Sequence, residues 1–350
     1  MNHPFVHLHF HTTYSLLEAS VQIDDAFSFA AENGMTSLAI TDYGNLFGAV
    51  EFYFKAKKKG IKPIIGCEVY VAPGSRLNKE QARHAAPYHH LVLLAENQTG
   101  YRNLLKLISL AHVEGFYFKP RIDKQLLAEN AEGLIGLSGT LRGEIPYLLE
   151  RNQRENALKA ATEYRDILGK NNFFIELWES GFPEQKKMNA DLLEISKEAG
   201  LSPVATNDVH FLREEDALVV DILHCLAHGK TIDQLGAGAR RHGQFYFKTG
   251  EEMARQFQEV PEAISNTAVI AERCQVKLAS GETFLPQYTV PEGFSRDSYL
   301  ADLARKGLEK RLERIDLEKW EFYRNRLEEE LAMLVKMGYA GYFLIVWDII

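Results

Sequence analysis

The sequence predicts an α/β protein whose first 210 or so residues form a closed α/β barrel. Three observations predict it. Seven apolar runs recur there: VHLHF, SLAITD, KPIIGCEVYV, HLVLLAEN, GLIGLSG, NFFIELW and SPVATND. Helical patterns lie between most of them, and strands that alternate with helices pair in parallel because each return needs a crossover. Polar residues of metal-ligand type recur at the ends of these runs, where barrel enzymes place their chemistry.

The first run sits in FVHLHFHTTYS, residues 5–15. As a strand it puts His7, His9 and His11 on one face and Val6, Leu8 and Phe10 on the other. The apolar face joins a core. The imidazole face needs water, hydrogen-bond partners or a cation, since unpaired buried imidazole is costly and neutral imidazole is a common metal ligand. An exposed edge strand with chance histidines is the plainer alternative. In VQIDDAFSFAAENG, Ile23, Phe27, Ala30 and Ala31 share a helical face, and Gly34 is the stop. SLAITD then ends at Asp42. FGAVEFYFKAKKKG repeats the pattern, with Val50, Phe54 and Lys57 along one side and Gly60 as the stop. Its cluster Lys55, Lys57, Lys58, Lys59 and Lys62 reads as a solvated helix end favoured by the helix dipole, ahead of a phosphate site.

KPIIGCEVYV carries Glu68, and the polar APGSRLNKEQARHAAPY that follows reads as a long loop. His90 starts its run instead of ending it, so the strand-end rule does not place it. GFYFKPRIDKQ reads as a turn entering a short helix. Thr140 follows GLIGLSG, and ATNDVH supplies Asp208 and His210. His9, His11, Glu68, His90, Asp208 and His210 make a nitrogen and oxygen set without thiolate, suited to Zn²⁺, Mn²⁺ or Fe²⁺. A carboxylate such as Glu68 can bridge two cations, and two-metal sites clamp both oxygens in phosphoester hydrolysis.

The bulk properties narrow the class. The 350 residues are 46% hydrophobic and 25% charged, as in ordinary globular proteins, and the length suggests about two domains. No run of about 18 apolar residues spans a membrane, and the N-terminus has no signal-peptide pattern. Cys67, Cys225 and Cys274 are few and widely spaced, in keeping with reduced thiols and a cytoplasmic protein. A net charge of −8 argues against a free-standing nucleic-acid binder.

Longer motifs carry a resemblance. FVHLHFHTTYSLLE, SLAITDYGNLFGAVEFY, GIKPIIGCEVYVAP, HHLVLLAENQTGYRNLLKL, GFYFKPRID, GLIGLSGTLRGEIP and PVATNDVHFL resemble the N-terminal PHP (polymerase and histidinol phosphatase) domain of bacterial replicative DNA polymerase III alpha subunits. The likeness runs through nearly all of residues 3–213. It continues into FYFKTGEEM, PEAISNTAVIAERC and GYAGYFLIVWDII, which resemble the lead-in to that polymerase's palm. The resemblance implies a PHP domain over 1–213, a distorted β/α barrel of about seven strands. A connecting segment and the start of the palm region would follow over 214–285, and a helical palm segment over 286–350.

The family's metal cluster draws on nine positions, here His9, His11, Glu18, Tyr43, Glu68, His90, Thr140, Asp208 and His210. Glu18 stands where aspartate is usual in the polymerase branch and can still ligate. Tyr43 replaces the histidine of a TDHG motif, and Thr140 a cysteine or histidine. A phenol is a poor ligand until it ionises, near pH 10. By analogy with a three-metal arrangement, His9, His11, Glu68 and Asp208 complete a first site. A second keeps Glu68 and His90, and a third keeps Glu18 and His210. The resemblance thus implies fewer than three ions, Zn²⁺ or Mn²⁺, with Mg²⁺ reserved for polymerisation by the full-length protein. Family members use this cluster as a phosphoesterase, sometimes a 3′–5′ exonuclease, or keep the barrel as a structural platform. The implied partners are primer–template DNA, a proofreading exonuclease subunit and a sliding clamp. The carboxylates of nucleotidyl transfer are expected past Ile350.

Two other functions compete: a free-standing phosphoesterase of the histidinol-phosphatase type, and a barrel that serves only as an interaction module. A lone phosphatase has no need of residues 214–350. The helical pattern Leu327, Leu331, Leu334 leads into GYFLIVWDII, and an end at Ile350 amid apolar residues reads as a truncation.

Overall fold

A computed structural model describes residues 5–80, 88–179, 183–234, 244–279 and 286–350. The chain divides into two compact units, Met1–Leu278 and Ala279–Ile350. The first is built on a mixed sheet of seven strands: β1 (Ser37–Ile40), β2 (Lys62–Val71), β3 (His89–Ala95), β4 (Arg121–Ile122), β5 (Leu134–Leu137), β6 (Phe173–Leu177) and β7 (Ser202–Ala205). The path runs β1-β2-β3-β5-β6-β7, with β4 paired on β2. Six of these strands coincide with apolar runs of the sequence.

The first run departs from expectation. Residues 5–11 form no regular strand, only an isolated bridge between Phe10 and Val209. They still join the two ends of the path. Ala39 N–H donates to the His7 carbonyl (3.0 Å) and Thr41 N–H to the Phe10 carbonyl (2.9 Å), while His11 N–H donates to the Val209 carbonyl (2.9 Å). Without strand regularity the alternation fails at His7. Its ring packs edge-on to Phe5 and Phe247 and not beside His9 and His11. The seventh strand is β4, in the stretch read as a turn before a short helix; that helix is Lys124–Glu129.

The second departure is strand direction. β3 runs antiparallel to both β2 and β5, where alternation with helices predicts parallel pairing throughout. No helix is described between β2 and β3, so no crossover obliges the chain to re-enter from the same end. This places His90. It is the second residue of β3, opposite Tyr70 near the C-terminal end of β2, and so lies at the same end of the barrel as the other strand-end ligands.

Side-chain alternation divides the strands between two apolar cores. Ile64, Val92, Leu94, Ile135, Leu137, Phe174 and Val204 meet inside the barrel with Val6 and Leu8. Cys67, Val69, Leu91, Leu93, Ile175 and Leu177 face outward onto the helices. The helix Pro261–Arg273 joins the inner cluster through Ile270 and Ala271. The helix Ile23–Glu32 buries Ile23, Ala26, Phe27 and Ala30, leaving Ala31 exposed. The helix Ala49–Lys58 turns a different side inward than expected. Ala49, Phe52, Tyr53 and Ala56 are buried while Val50 and Phe54 are exposed, because Phe52 packs on Phe27. Its lysines are exposed or half-buried at the helix end, with Lys55 paired to Asp24 and Glu51.

The second unit is helical: Arg296–Leu312, Trp320–Met337 and Ala340–Ile349 meet around Leu300, Leu331, Ala340 and Leu344. Among the described residues no single helix is long and apolar enough to cross a membrane. The bent pair Leu317–Met337 and Ala340–Ile349 passes that test only when taken together.

Candidate metal centre

The inward-facing positions of β2, β3 and β6 change from apolar to polar at one end of the barrel. Glu68 follows Ile64 on β2, His90 precedes Val92 on β3, and Glu176 follows Phe174 on β6. Residues 9–11 and the turn after β7 reach the same end. There His9, His11, Glu68 and Asp208 each offer one ligand atom, and the four atoms lie within 4.8 Å of one another. All four residues are buried.

Glu68 is the hub. Its Oε2 lies 2.7 Å from His9 Nε2 and 3.0 Å from His11 Nε2, and its Oε1 lies 2.6 Å from His90 Nδ1. Asp208 Oδ1 approaches His9 Nε2 (3.4 Å), His11 Nε2 (3.3 Å) and His210 Nε2 (3.0 Å). His11 Nε2 makes no well-aligned hydrogen bond despite its approach to both carboxylates, and the buried His90 Nε2 has no hydrogen-bond partner. Buried polar atoms are normally satisfied. Imidazole nitrogens so placed beside two carboxylates form a donor set that fits a divalent cation.

The electrostatics agree with that fit. Burial alone would raise the Glu68 and Asp208 carboxyls, but the fields of His9 with His90, and of His9 with His210, hold both well below the usual range. Burial alone would lower His9, yet Glu176, Asp208 and Glu68 raise it well above the ordinary imidazole value. The pocket is therefore anionic enough to hold positive charge, whether protons or a metal.

Loop chemistry aims these ligands. Asp42, at the end of β1, accepts from Thr12 N–H (2.7 Å), Thr12 Oγ1 (2.8 Å) and Ser15 Oγ (2.6 Å). Ser15 Oγ in turn lies 2.9 Å from His11 Nδ1, fixing that ring. On the other side His9 Nδ1 donates to Glu176 Oε1 (2.6 Å), which also accepts from Thr206 Oγ1 (2.5 Å). A carboxylate behind a ligating histidine sets its tautomer and raises its basicity.

The remaining sequence candidates surround this group without joining the four. His90 meets it through Glu68. His210 stacks on His11 with centroids 4.6 Å apart, and its Nδ1 donates to the Glu18 carbonyl (2.8 Å). The Glu18 carboxylate lies 3.2 Å from His224 Nε2. Burial would raise that carboxyl, but the bond from His224, then Arg142 and Lys119, bring it down to about 2. Thr140 Oγ1 donates weakly to Asp208 Oδ2 (3.4 Å). The Tyr43 ring stacks on His11 at 4.1 Å. Burial, with Glu68 and Asp208, pushes its phenol well above 10, which leaves no phenolate to ligate.

Sequence reading missed Glu176, His224 and Ser15. A signal for Glu176 was present: in NFFIELW a carboxylate shares the strand face of Phe174 and Trp178. Glu176→Gln keeps the shape but not the charge behind His9. It is expected to weaken Mn²⁺ binding about 10- to 100-fold, the usual range for such a change, as measured by titration calorimetry.

Comparison with known proteins gives two family matches. Residues 7–180 match the PHP domain, and residues 298–350 match the bacterial DNA polymerase III alpha NTPase domain. Curated relatives named DNA polymerase III subunit alpha align along almost the whole chain. That of Treponema pallidum is 42% identical over 99% of this chain and 29% of its own length. The Borreliella burgdorferi protein is 41% identical over 99% and 30%, and the Aquifex aeolicus protein 39% identical over 100% and 31%. The chain thus spans about three tenths of the length of these relatives.

Proposed function

Because the chain belongs to the family of bacterial DNA polymerase III alpha subunits, we propose that it is the amino-terminal part of a replicative polymerase and that its barrel holds one divalent cation. The full-length protein then carries out DNA-directed DNA synthesis in the cytoplasm, using Mg²⁺ at carboxylates outside this chain. Primer–template DNA, a proofreading exonuclease subunit and a sliding clamp are its partners. Residues 1–213 form the PHP domain, 214–285 the connection and 286–350 the helical palm segment. The connection contributes Met253, Phe257, Ala263 and Ile264 to the outer core of the barrel unit.

The observation that carries the metal reading is the convergence of His9, His11, Glu68 and Asp208 within 4.8 Å. His9 is oriented by Glu176 and His11 by Ser15, so both present Nε2 to the same space. A cation bound there, Zn²⁺ or Mn²⁺, supplies Lewis acidity toward a phosphoester. His90 with Glu68, and His210 with Glu18, remain as incomplete second and third sites, with Tyr43 and Thr140 at degenerate positions. The barrel therefore keeps a structural role and at most residual phosphoesterase or 3′–5′ exonuclease activity. A free-standing histidinol-phosphatase type enzyme is disfavoured, since the second unit has its own polymerase-family match.

Elemental analysis after mild dialysis tests this, with a nuclease assay in parallel. About one tightly held ion per chain is expected on the ligand count, and three retained ions would overturn the reading. A rescue variant extends the test. Tyr43→His with Thr140→Cys puts ligands beside His11 and Asp208, where the present side chains already touch them. Bound metal is expected to rise first and cleavage of bis-nitrophenyl phosphate second. Extra metal without cleavage would show that ligand loss is not what silences the barrel.

A further inference from the structure

Lys248 is 1% exposed, although it carries a charged side chain and lies outside the residues that match the PHP domain. Its ammonium donates to Asn207 Oδ1 (2.6 Å) and to the Gln244 carbonyl. Asn207 is itself buried, and its Nδ2 donates to the Tyr246 carbonyl (2.6 Å). Both ends of that amide are therefore held by residues 244–248. The same strip accepts His210 N–H at the Phe245 carbonyl (2.9 Å) and donates Phe247 N–H to the Phe211 carbonyl (3.0 Å). It runs alongside the turn that carries Asp208 and His210.

That turn has an uncommon backbone. Asp208 has φ +51°, a left-handed conformation rare outside glycine, though aspartate adopts it more readily than most. Such a conformation persists only where surrounding contacts over-determine it. Lys248 also reaches the other half of the site: its backbone carbonyl accepts from His7 Nε2 (2.8 Å), two residues before His9. One residue thus ties the histidine segment to the aspartate turn. Burying its charge is unfavourable without compensation. Burial lowers the ammonium to about 8, opposed by Glu252, Glu179 and Glu214.

We propose that Lys248 is a positioning residue of the metal centre: through Asn207 and His7 it holds the Asp208 turn and the histidine segment in register, so that Asp208 Oδ1 faces His9 and His11 Nε2. This rests on the metal reading above. The role differs from plain stabilisation, because what it fixes is the aim of one carboxylate.

The test uses the 350-residue protein. Mn²⁺ affinity is measured by calorimetry, the Co²⁺ absorption spectrum reports coordination geometry, and Tm is measured in EDTA. Lys248→Met is expected to raise the Mn²⁺ Kd about 10- to 100-fold and to shift the Co²⁺ d–d bands. Asn207→Ser breaks the same link from the other side and is expected to do likewise; it carries the test if Lys248→Met fails to fold. Met253→Ala, in the outer core of the barrel unit and part of neither link, is expected to lower Tm and leave Kd and spectrum near those of the unaltered protein. The proposal is overturned if both linking variants keep the unaltered Kd and Co²⁺ bands, or if Met253→Ala weakens binding equally for an equal loss of Tm. Failure of the unaltered protein to bind Mn²⁺ would instead refute the metal reading, and this inference with it.

Discussion

Glu68→Gln is expected to empty the metal centre. In the folded protein Glu68 stands between three imidazoles, at 2.7, 3.0 and 2.6 Å from His9, His11 and His90. Glutamine keeps the volume, removes the charge and offers an amide whose N–H₂ faces imidazoles that need an acceptor. Removing one partner of a buried charged group costs about 3–5 kcal/mol, a loss of two to three and a half orders of magnitude in an equilibrium constant. Metal content after dialysis is expected to fall from about one ion per chain to none. The metal-free protein carries a second readout. Because the Glu68 carboxyl is held well below 4.5 in the folded state, the unfolded chain binds more protons in acid. Its contribution is therefore present above that value and lost as pH falls. Glu68→Gln should flatten that part of the acid dependence of Tm in EDTA. A variant that retains its ion would show that Glu68 is no ligand.

Gly100→Ala is expected to be the most damaging single methyl in the barrel unit. Gly100 sits in the first turn of the helix Gln98–Val113, its N–H donating to Asn97 Oδ1 (3.0 Å). A Cβ there would stand 1.7 Å from the Gly133 carbonyl oxygen and 2.5 Å from its carbon. Both obstacles are backbone, so no rotamer relieves the clash, and the helix start or the turn before β5 must move. A loss of about 4–5 kcal/mol is expected, at the top of the range for point changes. Gly60→Ala is the control. Unlike the helical Gly100 it has a positive φ, +73°, but nothing lies within 4 Å of the added methyl, so the cost is a backbone term of about 1–2 kcal/mol with no clash. Thermal unfolding in EDTA separates the two. Equal losses would mean that the Gly100–Gly133 approach is looser than the structure has it.

What was legible in the sequence followed from local pattern. Apolar runs bounded by glycine and polar clusters mark six strands because burial on both faces demands it. What depends on the path between elements was not legible. No periodicity within HHLVLLAEN reports the direction of β3. His90, at the start of its run, was the one sign that the direction reverses. VHLHFH has strand alternation, yet its register is set by single bonds to Ala39, Thr41 and Val209, so His7 turns toward Phe247. In FGAVEFYF every second or third residue is large and apolar, and only the packed partner Phe27 selects Phe52 over Val50 and Phe54. At the site, residues of ligand type could be named from their chemistry. The groups that orient them could not, since Glu176 and Lys248 become informative only once sequence separations of 167 and 41 are folded away.

The order of synthesis gives the irregular first segment a further significance. The partners that fix residues 5–11 are all made after them: Ser15, Ala39 and Thr41, then Glu68, Glu176, Val209, Lys248 and finally Thr267. Until Thr267 has emerged, this histidine-rich segment has no complete berth. Contacts so distant along the chain form slowly, which leaves the imidazoles without their full set of partners until those residues are made. The metal centre thus cannot close until residues far beyond its two histidines are made. A nascent chain halted near position 180, the end of the matched PHP region, would expose them without Asp208 to complete the set.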